Sequence, residues 1–474
     1  MKKITAKDLQ KLTGAELLSK ELFKLRRVTG VSTDSRTVSK DNIFFALRGE
    51  KFDAHDFVDE VLKCDVAAIV VGKDWADKTG IRFRTLSCTL VVVPDTTIAL
   101  GELARLYRRK FDIPVIAIGG SNGKTTTKEM VTAVLTSKYI VLSTEGNLNN
   151  HIGVPQTLFR LTAKHDVAVI ELGTNHFGEL KYLCEIAEPT HGLITNIGKE
   201  HLEFFGDENG VAKEEKELFR FLEDSGGFPF VNGDDKYLED ECKKLKRSLC
   251  YGTSSKADVR AKKIEMNELG QPKFQCVWAK KKRSFTITLS VPGMHNVINA
   301  LPAISVGLKL KVKGKKIAEA LKKFSSASNR MEMLSHNGVT IVNDTYNSNP
   351  DSVIVALKTL QSFNTTGKKI VVLGDMRELG DASKREHTNI GVVAAEMKFD
   401  HLFTVGPFSR YTNEAYNCES GKHFASKDEL ASELKKILHH GDVVLVKGSR
   451  GMKMEDVVNQ LTMNNGQLKT KDQH

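Results

Sequence analysis

A lysine and a threonine in the run Gly119-Gly120-Ser121-Asn122-Gly123-Lys124-Thr125-Thr126-Thr127 have the types and spacing to handle a polyphosphate. Glycine-containing turns let backbone N–H groups approach phosphate oxygens, a lysine at the loop-to-helix junction neutralises the β- and γ-phosphates, and the next hydroxyl can ligate Mg2+. Lys124 and Thr125 stand in those places. The common spacing G-x-x-x-x-G-K-[ST] would put a glycine where Ile118 stands, so the loop is a shortened G-x-x-G-K-T from Gly120 to Thr125. An ordinary tight turn is the bland alternative. The flanks weigh against it: Val115-Ile116-Ala117-Ile118 reads as a strand, and Met130, Val131, Val134 and Leu135 recur at helical spacing. Strand, turn and helix start in that order point to an ATP-consuming enzyme.

Further groups with chemistry stand at the ends of other apolar runs. Glu171 closes Val167-Ala168-Val169-Ile170, where a carboxylate faces the crevice in which open α/β sheets bind ligands and can hold a Mg2+. A capping or surface glutamate is the plain reading. His201 follows Thr195-Asn196-Ile197-Gly198-Lys199-Glu200; Mg2+ prefers oxygen to imidazole, so by itself this histidine reads as structural. Asp344 and the asparagines of Val342-Asn343-Asp344-Thr345-Tyr346-Asn347-Ser348-Asn349-Pro350 can bind ribose, base or amide, although such residues also make plain turns. Lys447 and Arg450 can receive a carboxylate or phosphate, or be two exposed bases.

The elements that must position these groups alternate. Residues up to about Phe111 mix short helices with strands such as Ala67–Val71 and Leu90–Val93, and Asp112-Ile113-Pro114 then breaks the pattern. Strands at Val115–Ile118, Val167–Glu171, Gly192–Asn196 and Phe228–Asn232 alternate with helices, as in a parallel sheet, and a β-rich stretch covers Asp258–Val291. From about Ser325 the alternation repeats at Val339–Asn343, Ile370–Leu373, His401–Val405 and Val443–Val446, a second nucleotide-type α/β domain. The fold class expected is therefore α/β in three domains: a small mixed α/β domain at 1–112, a central P-loop-type parallel-sheet ATPase domain at 113–324, and a C-terminal Rossmann-like α/β domain at 325–474. A polar tail from Asn464 is expected to be disordered.

Bulk composition narrows the function classes. The 474 residues exceed a single core, and 40% hydrophobic with 27% charged residues is ordinary for a soluble protein. No apolar run approaches the roughly 20 residues that span a bilayer, and Met1-Lys2-Lys3-Ile4-Thr5 lacks an export signal's apolar core. Seven scattered cysteines without a C-x-x-C pair argue against disulfides or zinc and for a reducing cytoplasm. The net charge of +11 is spread along the chain, and the short clusters Lys280–Arg283 and Lys309–Lys316 lack interleaved aromatics, which disfavours nucleic acid.

Taken together, these segments resemble the Mur ligase family over nearly the whole chain. The family's shortened phosphate loop matches Gly120, Ser121, Asn122, Gly123, Lys124, Thr125 and Thr126, and its H-N-x-x-N element matches His295-Asn296-Val297-Ile298-Asn299. A finer match rests on Thr33–Arg36 with Phe45–Gly49, on Asn147–Pro155, on Glu171–His176 and on Asp344–Pro350. The resemblance implies an ATP-dependent ligase that joins D-alanyl-D-alanine to the terminal carboxylate of a UDP-N-acetylmuramoyl-tripeptide in the cytoplasm, with ATP and Mg2+, as a monomer. Another amide ligase of the family, adding a single amino acid, and a P-loop ATPase acting on nucleic acid or protein are the rival readings.

Residue by residue, the resemblance implies catalytic Lys124, Glu171 and His201, with Thr125, Glu171 and His201 at the metal. It brings Asn299, Arg330 and Asp344 to the nucleotide. Ser35, Arg36, Asn147, Asn149, Asn150, Asn175 and His176 would face the nucleotide-peptide, with Asn347, Asn349, Lys447 and Arg450 as further substrate contacts. One departure stands out. Many relatives carry a CO2-carbamylated lysine four residues before an aromatic; with Phe219 as that aromatic, the position is Glu215, or Lys216 if the register is off by one. Glu215 would bring a carboxylate to a second metal without CO2.

Overall fold

The computed structural model describes residues 1–81, 86–326 and 328–463, so the tail from Asn464 lies outside the described residues. Two compact units form. One comprises Met1–Gly119, Lys138–Ile194 and Glu214–Pro229; the other comprises Gly120–Ser137, Thr195–Lys213 and Phe230–His474.

In the first unit, Thr89–Val93, Ala68–Gly72, Asn42–Phe45 and Gly30–Ser32 lie parallel in that order, with Glu16–Leu18 added antiparallel beside Thr89–Val93. The three longest of these are buried on both faces and apolar apart from Asn42 and Thr89 at two strand starts, as expected of strands covered by helices. A second set runs Val141–Ser143, Val167–Glu171, Val115–Gly119, His191–Ile194, all parallel. Asp95 starts the helix Thr96–Arg108 by accepting from the N–H groups of Thr97 (2.7 Å) and Ile98 (3.0 Å). That helix lies close against Glu179–Ala187, since a Cβ on Gly101 would stand 2.9 Å from the Ile186 side chain.

In the second unit, the helix Lys124–Thr136 packs along Met294–Lys309, with Gly307 facing Val134. Leu249–Gly252 and Val259–Met266 lie parallel, and Pro272–Trp278 and Arg283–Thr288 complete an antiparallel ribbon. The remaining sheet has the order Glu332–His336, Val339–Asp344, Val443–Lys447, Lys369–Gly374, His401–Val405, Gly421–Phe424, parallel apart from the first strand. Strand alternation divides its core in two. Val371, Leu373, Leu402 and Leu445 face Leu357, Leu360 and Ile390, while Ile370, Val372, Val444 and Val446 face Leu430, Leu434 and Val457. Each such fully buried side chain contributes about 1.5–3 kcal/mol, which is what clamps helices to both faces.

Two sequence expectations need correcting. The strand expected at Gly192–Asn196 ends at Ile194, because the next residues leave the sheet to hold the phosphate loop. The scattered cysteines argued against disulfides, yet Cys242 and Cys250 are bonded, their Cα atoms 5.5 Å apart. Fold geometry produces that pair: Cys250 lies in strand Leu249–Gly252 and Cys242 in the short helix Glu241–Lys244 that precedes it. Sequence spacing carried no sign of this.

Candidate active site

The phosphate loop is held open from behind. Gly120 has φ +109°, and a Cβ there would meet the backbone N of Thr195 at 2.7 Å, so only glycine fits. Ser121 N donates to the Asn196 carbonyl (2.9 Å), Asn122 N to Asn196 Oδ1 (3.1 Å), and Gly198 N to Ser121 Oγ (2.9 Å). The segment Thr195–Gly198 is in turn fixed by Asn232 Nδ2, which donates to Thr195 O (2.7 Å), and by Asp235 Oδ2, which accepts from Ile197 N (2.8 Å). Gly123 has φ +78° and abuts the buried Asn299, the sequence candidate for nucleotide contact. The helix opens at Lys124, and no side chain caps it. Its positive end is therefore directed at the loop, an arrangement suited to an anion.

Lys124 Nζ bonds the carbonyls of Gly120 and Ser121 and lies 3.3 Å from Glu200 Oε2. Glu200 was not singled out in the sequence. It is buried, and its other oxygen, Oε1, has no hydrogen-bond partner among the described residues. Thr125 is buried beside Lys124 in the first turn. His201 has φ +47°, and its Nδ1 sits 2.8 Å from Glu378 Oε2. The imidazole beside it holds the Glu378 carboxyl below the usual carboxylate range.

Residues from beyond position 325 reach the same loops. Asn349 Nδ2 donates to Asn122 Oδ1 (2.9 Å), while Asn349 Oδ1 caps its own helix by accepting from Ser352 N (2.9 Å). Asp351 Oδ2 accepts from Lys199 N (2.7 Å), and Lys199 Nζ donates to the buried Glu386 (3.0 Å). Lys447 is not an exposed base: it is buried, donating to Asp344 Oδ2 (2.6 Å) and to Asn347 O (2.9 Å). Arg330 stacks over the Tyr346 ring at 3.7 Å, with the exposed Arg450 at 5.7 Å from the same ring. Asn347 is exposed.

The first unit holds the other candidates. Glu171 is buried, and its Oε1 accepts from Asn149 Nδ2 (2.9 Å). Asn150 Oδ1 accepts from Ile152 N and Gly153 N, which starts the helix Gly153–Phe159, while Asn147 is exposed. Asn175 and His176 are exposed on a loop tied down by Glu179 and by the buried Glu214, which accepts from Gly178 N and Leu180 N (both 2.8 Å). Arg36 is exposed and paired with Asp34; Ser35 lies between them. Glu215 is fully buried, its Oε2 2.6 Å from where a Cβ on Gly119 would stand, whereas Lys216 is half-exposed at the start of the next helix.

Among the described residues no three His, Cys, Asp or Glu side chains converge as a metal cage. Mg2+ takes much of its shell from water and phosphate oxygens and needs only one or two protein oxygens. The second oxygen of Glu200 and the Thr125 hydroxyl are hard donors of that kind. Chemically, the loop can bind a polyphosphate, offset its charge with Lys124 and keep the lysine poised against a carboxylate.

Three family models match consecutive parts of the chain: the Mur ligase family catalytic domain over residues 27–108, the Mur ligase middle domain over 118–307, and the Mur ligase glutamate ligase domain over 329–450. The Bacillus subtilis UDP-N-acetylmuramoyl-tripeptide–D-alanyl-D-alanine ligase is 32% identical over 97% of this chain and 99% of its own length. The Haemophilus influenzae protein of the same name is 34% identical, again over 97% and 99%. Among solved structures, MurF from Acinetobacter baumannii superposes with TM-score 0.86 at 32% identity, covering 98% of this chain and 99% of that one. MurF ligase from Thermotoga maritima in complex with ADP superposes with TM-score 0.81 at 26% identity, covering 94% and 98%.

Proposed function

The chain belongs to the Mur ligase family, and from that premise we propose that it joins D-alanyl-D-alanine to the terminal carboxylate of UDP-N-acetylmuramoyl-tripeptide, with ATP converted to ADP and phosphate. The observation that carries this reading is the near full-length likeness to ligases of that name, which spans 97% of the chain. No helix among the described residues is long and apolar enough to cross a membrane, and we place the reaction in the cytoplasm.

A carboxylate resists an amine because its charge repels the nucleophile and oxide is a poor leaving group. The γ-phosphoryl group of ATP therefore passes first to the tripeptide carboxylate, forming an acyl phosphate and releasing ADP. The amino nitrogen of D-alanyl-D-alanine then attacks the acyl carbon, and phosphate departs with the former carboxylate oxygen. Lys124 turns from Glu200 to the phosphates as they arrive and offsets the charge that shifts between them. The uncapped start of the helix Lys124–Thr136 favours the same anion, and Asn299, behind Gly123, fixes the loop's shape. No protein nucleophile is required, since the work is positioning and electrostatics.

By the family relation we assign Mg2+ to Thr125, Glu171 and His201, and a second metal to Glu215; when bound, these ions would supply further neutralisation of phosphate charge. Glu215, buried where many relatives have a carbamylated lysine, carries its own carboxylate and removes the need for CO2. Arg330, Asp344 and Asn299 are assigned to the nucleotide. The exposed Asn147, Asn150, Asn175, His176 and Arg36, with Ser35 and Asn149, are assigned to the nucleotide-peptide. Asn347, Asn349, Lys447 and Arg450 are assigned to the incoming dipeptide side, with Lys447 acting through Asp344.

Phosphate release by the purified protein tests the reading. Release is expected only when ATP, UDP-N-acetylmuramoyl-tripeptide and D-alanyl-D-alanine are all present, at the same rate in CO2-depleted buffer, and lost in Glu215→Gln. Equal release with a single amino acid, or stimulation by DNA or RNA, would overturn it; dependence on bicarbonate would overturn the role of Glu215.

A further inference from the structure

We propose that Cys242 and Cys250 form a reversible dithiol–disulfide site, exchanged with small anionic disulfides, that sets how firmly the phosphate loop is held. The two sulfurs are bonded to one another and lie directly beneath Gly233, where a Cβ would stand 2.6 Å from Cys250 Sγ and 3.5 Å from Cys242 Sγ. Gly233 is the centre of a short turn with ties on both sides. Gly233 N donates to Tyr251 O (2.8 Å), and Asp234 accepts from Thr253 N (2.6 Å) and Ser254 N (3.3 Å), so the turn rests on the strand that carries Cys250. On the other side, Asn232 and Asp235 hold Thr195 O and Ile197 N. Between those two anchors lies Asn196, which holds Ser121 N and Asn122 N. The bridge thus sits two hydrogen-bonded steps from the phosphate loop.

Accessibility and charge favour exchange here. Both cysteines are partly exposed, and the segment between them carries Lys243, Lys244, Lys246 and Arg247, all exposed. This positive run draws in an anionic disulfide reagent. The thiolate of one cysteine attacks a sulfur of the reagent disulfide, giving a mixed disulfide and one released thiol. The second cysteine's thiolate then attacks the protein sulfur of that mixed disulfide, closing the bridge and releasing a second thiol. Two protein thiols are oxidised, one reagent disulfide is reduced to two thiols, and the reverse sequence opens the bridge. With the bridge closed, the helix Glu241–Lys244 is stapled to the strand below the turn. Opened, the turn loses that support and its grip on Thr195–Ile197 slackens.

The effect on nucleotide binding rests on the phosphate-loop reading above, whereas bridge formation does not, and the experiment separates them. Protein carrying only Cys418→Ser, which removes an exposed thiol far along the chain, is equilibrated with oxidised or reduced glutathione. Trypsin cuts after Lys243, Lys244, Lys246 and Arg247, so a closed bridge yields one two-peptide species that separates on reduction, and an open one yields two alkylated peptides. The cross-linked species is expected after oxidation, together with ADP binding about five-fold tighter than in the reduced protein. Cys242→Ser and Cys250→Ser should each abolish the cross-link and bind ADP alike under both conditions. Failure to find the cross-linked peptides overturns the site, and a cross-link with the same ADP affinity in both states overturns its coupling to the loop. ADP binding to neither form overturns the nucleotide reading instead.

Discussion

The most telling single residue is Lys124, because its amine already has an anionic partner. Its Nζ is 3.3 Å from Glu200 Oε2, and both side chains are largely shielded from solvent. A phosphate must compete with that carboxylate, so the strength of the internal pair is subtracted from nucleotide affinity. Glu200→Gln keeps the shape and removes the charge. It is expected to bind ADP several-fold more tightly when titrated without metal, a gain on the order of 1 kcal/mol, and to leave AMP affinity unchanged because AMP lacks the distal phosphates. Lys124→Ala should cut the rate of ADP formation by about 100-fold or more while leaving the protein folded. If Glu200→Gln weakens ADP binding, the carboxylate steers the lysine toward phosphate and does not hold it back.

At the scale of elements, the parallel strands were legible because a strand covered on both faces is an unbroken apolar run. Val167–Glu171 and His401–Val405 appear in the structure with the bounds the sequence suggested. The phosphate loop was legible for a similar reason, its glycines and lysine being local. What could not be read are the ties that act by convergence. Asn196, Glu200, Glu214 and Asp351 lie in loops or near helix ends with no periodicity around them, and each matters only through a partner elsewhere in the chain. Nor did the sequence mark His387, which joins two elements. Buried in the helix Ser383–Met397, it shares a hydrogen bond through Nδ1 with Ser383 O (2.7 Å) and accepts at Nε2 from Met376 N (3.0 Å), a pattern only the neutral imidazole satisfies. Burial lowers its pKa from the ordinary 6.5. Below that value the unfolded chain takes up a proton that the folded chain refuses, so stability is full at neutral pH and is lost as the pH falls below about 6.5. His387→Gln, which retains an acceptor for Met376 N, should lose less thermal stability between pH 7.5 and 5.5 than the wild type does, by on the order of 1 kcal/mol. An identical decline in both proteins would assign the acid sensitivity elsewhere.

For the molecule as a whole, the phosphate loop is shaped by segments drawn from across the sequence. Within one compact unit, Asn122 meets Asn349 across 227 residues, and Lys199 meets Asp351 and Glu386. Asn349 performs two tasks that can be separated. Its Oδ1 caps the helix Pro350–Gln361, and its Nδ2 reaches Asn122 Oδ1 at 2.9 Å. Serine caps helices as well as asparagine does but is too short to span to Asn122, whereas alanine does neither. Asn349→Ser should therefore keep the thermal midpoint near that of the wild type yet raise the KM for ATP, and Asn349→Ala should add a stability loss of about 1 kcal/mol. Combined with Asn122→Ala, Asn349→Ser should cost little more in ADP affinity than Asn122→Ala alone, because one bond cannot be removed twice. Fully additive losses would mean that the two asparagines act on the nucleotide separately, and that the long-range contact does not shape the loop.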